Sequence, residues 1–257
     1  MLLVIDIGNT HTVFGVIRDG EILKHWRMTS SLARTEDEIG LILRLYCQQG
    51  GIDFSAIKGV CISSVVPDLT DSHVRMSQKY LGIRALVIHS GLKMDMRVLY
   101  KDPGTVGADR LCNAVAGVRK MGSPLIVLDF GTATTFDCID REGNYLGGVI
   151  APGIETSIRA LHMKAAKLPQ VELRIPRRMV GRTTTESIQI GIIKGAIHTV
   201  NGLVADIKKE LGERTQVIAT GGLAEVIARE TDVITRVEPF LSLEGMALIY
   251  EMNRPEA

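Results

Sequence analysis

Residues 2–23 of this 257-residue chain can be laid over residues 125–146 at a constant offset of 123 without a gap. Eight of the 22 pairs are identical: Leu2/Leu125, Val4/Val127, Asp6/Asp129, Gly8/Gly131, Thr12/Thr135, Arg18/Arg141, Gly20/Gly143 and Leu23/Leu146. Chance at ordinary residue frequencies gives about one or two. Each copy is a short apolar run (2–5 and 125–128) ending on Asp-x-Gly and small polar residues. A β-rich run (13–17 and 135–139), a polar Gly-containing turn and a third strand (22–28 and 145–150) follow. The run 60–64 recurs more weakly as 217–221. A chain built this way folds as a duplicated α/β protein, two domains facing each other across a cleft. The boundary is expected near 116–124, around Gly117, Gly122 and Pro124, giving domains 1–118 and 119–257.

Between the strands the pattern is helical. Thr35 with Glu38 forms a capping box ahead of the apolar face Ile39, Ile42, Leu43 and Tyr46. Further helices are expected from about 68, from 108 to 120, and from 184 to 211, with a polar tail over 253–257. Lys+Arg 30 against Asp+Glu 29 leaves a net charge of +1, which argues against a general nucleic-acid binder, and 4% aromatics offer few stacking platforms. No uninterrupted apolar run reaches the ~18 residues of a membrane helix, and no signal peptide is recognisable. Cys47, Cys61, Cys112 and Cys138 form no C-x-x-C pair and read as small core residues of a protein in a reducing, cytoplasmic setting.

The familiar phosphate motifs are absent. There is no Gly-Lys dipeptide, hence no P-loop, and no Gly-x-Gly, hence no dinucleotide fingerprint. The six histidines show no zinc spacing. What remains is Asp6-Ile7-Gly8-Asn9-Thr10-His11-Thr12 and its copy Asp129-Phe130-Gly131-Thr132-Ala133-Thr134-Thr135. Each sets a carboxylate at a strand end, then a glycine whose loop can turn backbone N–H groups toward an anion, then hydroxyl or amide donors. A carboxylate repels phosphate, so Asp6 in such a loop calls for a cation. Thr220-Gly221-Gly222 supplies a third glycine loop, suited either to a purine and ribose or to a tight strand–helix junction. By position alone Asp109 is an acid in a helix's first turn, either complementing the helix dipole or serving as a base beside Arg110.

Together the two hairpins and the Gly-Gly loop resemble the actin-like (ribonuclease H-like) ATPase superfamily of acetate and sugar kinases. Within it the chain closely resembles the type III pantothenate kinases. The specific segments are Gly107-Ala108-Asp109-Arg110 and Gly147-Gly148-Val149-Ile150-Ala151-Pro152-Gly153, joined by Tyr100, Gly181-Arg182-Thr183-Thr184 and Leu243-Glu244-Gly245. The chain departs at Thr183, where the family often has Asn, and at Ile190, where a small residue is common.

The resemblance implies ATP-dependent phosphorylation of pantothenate, the first step of coenzyme A biosynthesis. Another small-molecule kinase of the superfamily, or an actin-like ATPase working as a polymer, are the alternatives. It implies ATP contacts from Asp6, Ile7, Gly8, Asn9, Thr10, His11, Thr12, Val13 and Thr132, with Asp6 positioning Mg2+ through water. It implies pantothenate contacts from Tyr100, Gly107, Ala108, Asp109, Arg110 and Thr184, with Asp109 as base. It further implies K+ or NH4+ at Asp129 and a homodimer, for which 188–204 is the candidate contact helix. No nucleic-acid or membrane partner is expected.

Overall fold

A computed structural model describes residues 1–254 of the chain. It divides into two compact units, Met1–Arg119 together with Phe240–Ala257, and Lys120–Pro239. The first begins with strands β1 (Leu2–Ile7), β2 (His11–Arg18) and β3 (Glu21–Thr29). Helix α1 (Glu36–Gln49), β4 (Gly59–Ser64), α2 (Pro67–Met76), β5 (Leu86–Val87) and α3 (Ala108–Met121) follow. The second unit runs β6 (Leu125–Phe130), β7 (Ala133–Ile139), β8 (Tyr145–Pro152), α4 (Ile154–Lys164), α5 (Thr184–Gln189) and α6 (Gly195–Leu211). It ends with β9 (Gln216–Thr220), α7 (Ala224–Ala228) and β10 (Arg236–Val237), after which α8 (Leu241–Asn253) returns to the first unit.

The duplication is visible in topology. Strand order is β3-β2-β1-β4-β5 in one sheet and β8-β7-β6-β9-β10 in the other. In both, the first three strands are antiparallel and the last two join in parallel. In both, the pairing slips by one residue late in the second strand, between Val16 and Ile17 and between Cys138 and Ile139. The residues skipped are Leu23 and Leu146, a matched pair. The turn glycines Gly20 and Gly143 share φ 81, a left-handed value an L side chain resists.

The ungapped alignment needs one correction. Asp6 lies opposite Val13, whereas Asp129 lies opposite Thr135, so the second hairpin loop is one residue shorter. The structural counterparts are therefore Thr12 with Thr134 and Phe14 with Phe136, all four buried. A core aromatic fixes the register more strongly than an identity at a loop's edge.

Side-chain alternation on β1 sorts its residues between two layers. Leu3, Ile5 and Ile7 join Phe14 and Val16 against α1 and α2, through Ile39, Leu43, Leu69 and Met76. The opposite face carries Val4 and Asp6 and receives α8. Leu243 there lies against Gly15, Tyr250 against Gly59, and the Cys61 thiol donates to the Met246 carbonyl. The expected second domain, 119–257, thus loses its last helix, which packs on the first sheet. Asn253, placed by the sequence in a polar tail, is instead tied to Lys93 through both amide atoms, and residues 255–257 lie outside the described residues.

In the second unit Ile126, Leu128, Phe130 and Phe136 pack on α4 and on the helical stretch 184–211. That stretch is broken into α5 and α6 by one π turn, Ile190–Lys194. Its buried apolar residues are Ile188, Ile193, Ile197, Val200 and Val204. The five-residue step from Ile188 to Ile193 coincides with the π turn, which keeps one apolar stripe on the sheet. Thr184–Leu211 is long and apolar enough to cross a membrane by length and composition alone. Its stripe is buried in the sheet core.

Candidate active site

In the first unit, β1 delivers Asp6 to its end and Gly8 begins the turn. The Gly8 N–H donates to the His11 carbonyl at 3.0 Å, closing a loop whose tip is Asn9 and Thr10. Ser30 fastens the loop from β3's end: its hydroxyl donates to the Gly8 carbonyl at 2.6 Å and its N–H to the Thr10 carbonyl at 3.0 Å. Of the expected ATP contacts, Asn9 and His11 are exposed, Gly8, Thr10 and Val13 are half-buried, and Ile7 and Thr12 are buried. The Thr12 hydroxyl lies 3.0 Å from that of Ser30. Thr12 thus braces the loop from β2.

Asp6 is held at both oxygens. Ser63, its register partner on β4, donates to Oδ1 at 3.0 Å, and Ser242 of α8 donates to Oδ2 at 2.9 Å. Burial, with the negative charge of Asp109 nearby, pushes its carboxyl up to about 6, against the pull of the two hydroxyls. Asp109 stands in the first turn of α3, and burial raises its carboxyl too, opposed by the Arg110 N–H at 2.8 Å and the Arg110 charge. Gly107 makes room for it. A Cβ there would come within 2.5 Å of Asp109 Oδ1. Ala108 and Arg110 are buried. Tyr100 is exposed on the loop before Asp102, whose side chain caps the turn Pro103–Thr105. The structure therefore brings Asp6 and Asp109 within electrostatic reach on one unit.

In the second unit the shorter loop closes by the Gly131 N–H donating to the Ala133 carbonyl at 3.0 Å. Thr132 is exposed, and its carbonyl accepts from the Gly153 N–H at 3.2 Å and the Thr156 hydroxyl at 2.7 Å. The Gly147-to-Gly153 segment thus buttresses this loop: a Cβ on Gly153 would lie 2.4 Å from the Gly131 carbonyl. Asp129 abuts the Gly-Gly loop. Gly221 has φ +93, and a Cβ there would lie 2.5 Å from Asp129 Oδ1. Two sequence motifs are one place in space. Thr184 is exposed at the start of α5, where the Thr183 hydroxyl accepts from the Glu186 N–H at 3.2 Å. Thr183 therefore keeps the N-cap that an Asn would provide.

Sequence reasoning missed Ser30, Ser63 and Ser242. Ser63 had a signal, since it lies near the end of the strand that recurs as β9 and its counterpart Thr220 is the register partner of Asp129. Ser242 had none, lying 236 positions from Asp6.

A single Asp fixed by two hydroxyls, with no neighbouring group of three or more His, Cys, Asp or Glu among the described residues, suits a cation mostly bound by water and phosphate. Mg2+ fits Asp6 on that ground. The Asp129 carboxylate, in a loop otherwise of neutral oxygens, suits a larger, weakly charged ion.

Known proteins resemble this chain in both sequence and fold. The family model of type III pantothenate kinase matches residues 2–206. A type III pantothenate kinase of Bacillus cytotoxicus is 46% identical over 253 residues, 98% of this chain and 97% of that protein. Among solved structures, a Campylobacter jejuni protein described as a Baf family transcriptional activator superposes with TM-score 0.61 at 19% identity, covering 98% of each chain. A Listeria monocytogenes protein described as an N-acetylmannosamine kinase superposes with TM-score 0.52 at 12% identity, again over 98% of each chain. The structural likenesses establish the duplicated actin-like fold. The sequence likenesses go further: the chain belongs to the type III pantothenate kinase family.

Proposed function

We propose that this chain transfers the γ-phosphoryl group of ATP to the 4′-hydroxyl of pantothenate, yielding ADP and 4′-phosphopantothenate. The observation that carries the residue roles is the pair Asp6 and Asp109 on one unit, one at the phosphate loop and one at a helix start. The pantothenate oxygen attacks the γ-phosphorus, the bond to the β–γ bridging oxygen breaks, and the hydroxyl proton passes to Asp109. A buried carboxylate with a raised pKa is a stronger base than a solvated one, and phosphoryl transfer asks little else of the protein beyond positioning and neutralisation. The first loop, Gly8 to Val13, holds the triphosphate, and Thr132 contacts ATP from the second hairpin. Tyr100, Gly107, Ala108, Arg110 and Thr184 hold pantothenate, with Arg110 matching its carboxylate.

Mg2+ at Asp6 supplies charge neutralisation on the phosphates. Asp129 takes K+ or NH4+. The reading includes a homodimer and a cytoplasmic enzyme.

Coupled ADP release tests the reaction: turnover with ATP requires pantothenate, and neither a hexose nor acetate replaces it. Hydrolysis without acceptor that rises with protein concentration would select the polymer-forming alternative. The cation is tested separately. In buffer free of K+ and NH4+, with Na+ matching the ionic strength, activity falls and returns at millimolar K+ or NH4+, and Asp129→Ala loses this response. Full activity in Na+ alone rejects the cation site and leaves the kinase intact.

A further inference from the structure

The hold on Asp6 comes from two elements that do not belong to the phosphate hairpin. β4 contributes Ser63, fully buried, through the parallel register that places it beside Asp6. α8 contributes Ser242 from its first turn. The hydroxyls donate to different oxygens, at 3.0 and 2.9 Å, which sets the plane of the carboxylate as well as its position. A carboxylate has about four acceptor sites, so two remain for water on a cation.

α8 is itself firmly placed. Gly245 lets it approach α3 so closely that a Cβ would lie 2.0 Å from the Cys112 carbonyl oxygen. One turn before, the Phe240 ring meets that of His25 of β3 at a tilt of 49°, with centroids 4.5 Å apart. The fold's internal symmetry sharpens the point. The strand hydroxyl is duplicated, Ser63 beside Asp6 and Thr220 beside Asp129. The helix hydroxyl on Asp6 comes from α8, which lies in the first unit.

We infer that Ser242, acting with Ser63, is a positioning residue that orients the Asp6 carboxylate for the nucleotide-bound divalent cation. This rests on the reading of Asp6 given above. Through Ser242 the far end of the chain completes the phosphate site built at its beginning.

The test is calorimetric binding of Mg·ATP, and of ATP in EDTA, to the whole protein and to Asp6→Asn, Ser63→Ala, Ser242→Ala and Ser242→Thr, with thermal melts alongside. Losing a partner that orients a metal-binding group typically costs 10- to 100-fold. Ser242→Ala and Ser63→Ala should therefore weaken Mg·ATP binding by about that factor while leaving metal-free ATP binding within about twofold. Ser242→Thr, which keeps the hydroxyl, should restore Mg·ATP binding. Ser242→Ala with parental Mg·ATP affinity, beside an Asp6→Asn that has lost it, overturns the inference alone. Equal losses for both forms of ATP, or no rescue by threonine, overturn it too by showing a purely structural role. An Asp6→Asn that binds Mg·ATP normally removes the reading of Asp6, and the inference falls with it.

Discussion

In the proposed reaction two carboxylates on one unit, Asp6 and Asp109, carry opposite demands. Asp109 must take a proton, so Asp109→Asn keeps the shape and removes the basicity. Its kcat should fall about 10²- to 10⁴-fold with pantothenate affinity little changed; near-parental kcat would take Asp109 out of that role. Asp6 must stay charged, yet burial and Asp109 raise it to about 6. The unfolded chain holds it near 4. Folding thus favours the protonated form, and the stability linked to it is fully present below pH ~4 and lost as pH climbs through about 6. In metal-free buffer Asp6→Asn, neutral at every pH, should exceed the parent in stability at pH 7.5 by on the order of 1–3 kcal/mol. The excess should vanish by pH ~4. Urea unfolding at both pH values checks this, and a gap of equal size at the two would contradict it. Asp6 and Asp109 were both legible as residues, because Asp-x-Gly repeats and Gly-Ala-Asp-Arg is a specific string. Their proximity was not, since it depends on where α3 starts relative to β1.

At the scale of elements, what is local was readable and what is tertiary was not. The capping box of α1 forms as Thr35 and Glu38 foretold, each accepting from the other's backbone N–H. The hairpins appear where alternation and turn glycines put them, but their relative register is off by one because Phe14 and Phe136 must both enter the core. The last helix was assigned to the second half by sequence order, while packing places it on the first sheet. Its fit there turns on Gly245. The contact atoms around a Cβ at that position are the Cα, carbonyl carbon and carbonyl oxygen of Cys112, all backbone, so no side chain can swing away. Gly245→Ala must push α8 off α3, with an expected loss of about 2–3 kcal/mol or more. Because Ser242 rides on the same helix, Mg·ATP affinity should fall with it. A variant as stable as the parent in urea, with unchanged Mg·ATP binding, would show that the two helices have room to spare.

For the molecule as a whole, the stretch Thr184–Leu211 presents two faces of different character. One is the apolar stripe buried in the second sheet's core. The other exposes Gly191, His198, Thr199, Gly202 and Ala205, with Gly195 half-buried between them, and a Cβ on Gly191, Gly195 or Gly202 would meet nothing within 4 Å. Only 28% of its most apolar window is buried within the chain. Small residues let a second helix approach closely, and an apolar helix left this open gains by pairing. That supports this face as the contact of the proposed homodimer. Gly202→Arg inserts a long charged side chain there without disturbing the chain's own packing, and arginine is a better helix former than glycine. The parent should sediment as a dimer at micromolar concentration. Gly202→Arg should sediment as a monomer with an unchanged circular dichroism spectrum, and its pantothenate KM should rise if the substrate site lies near the contact. A parent that sediments as a monomer removes the dimer, and a Gly202→Arg chain that remains a dimer places the contact elsewhere. A monomeric variant with parental kinetics would separate the catalytic unit from the assembly.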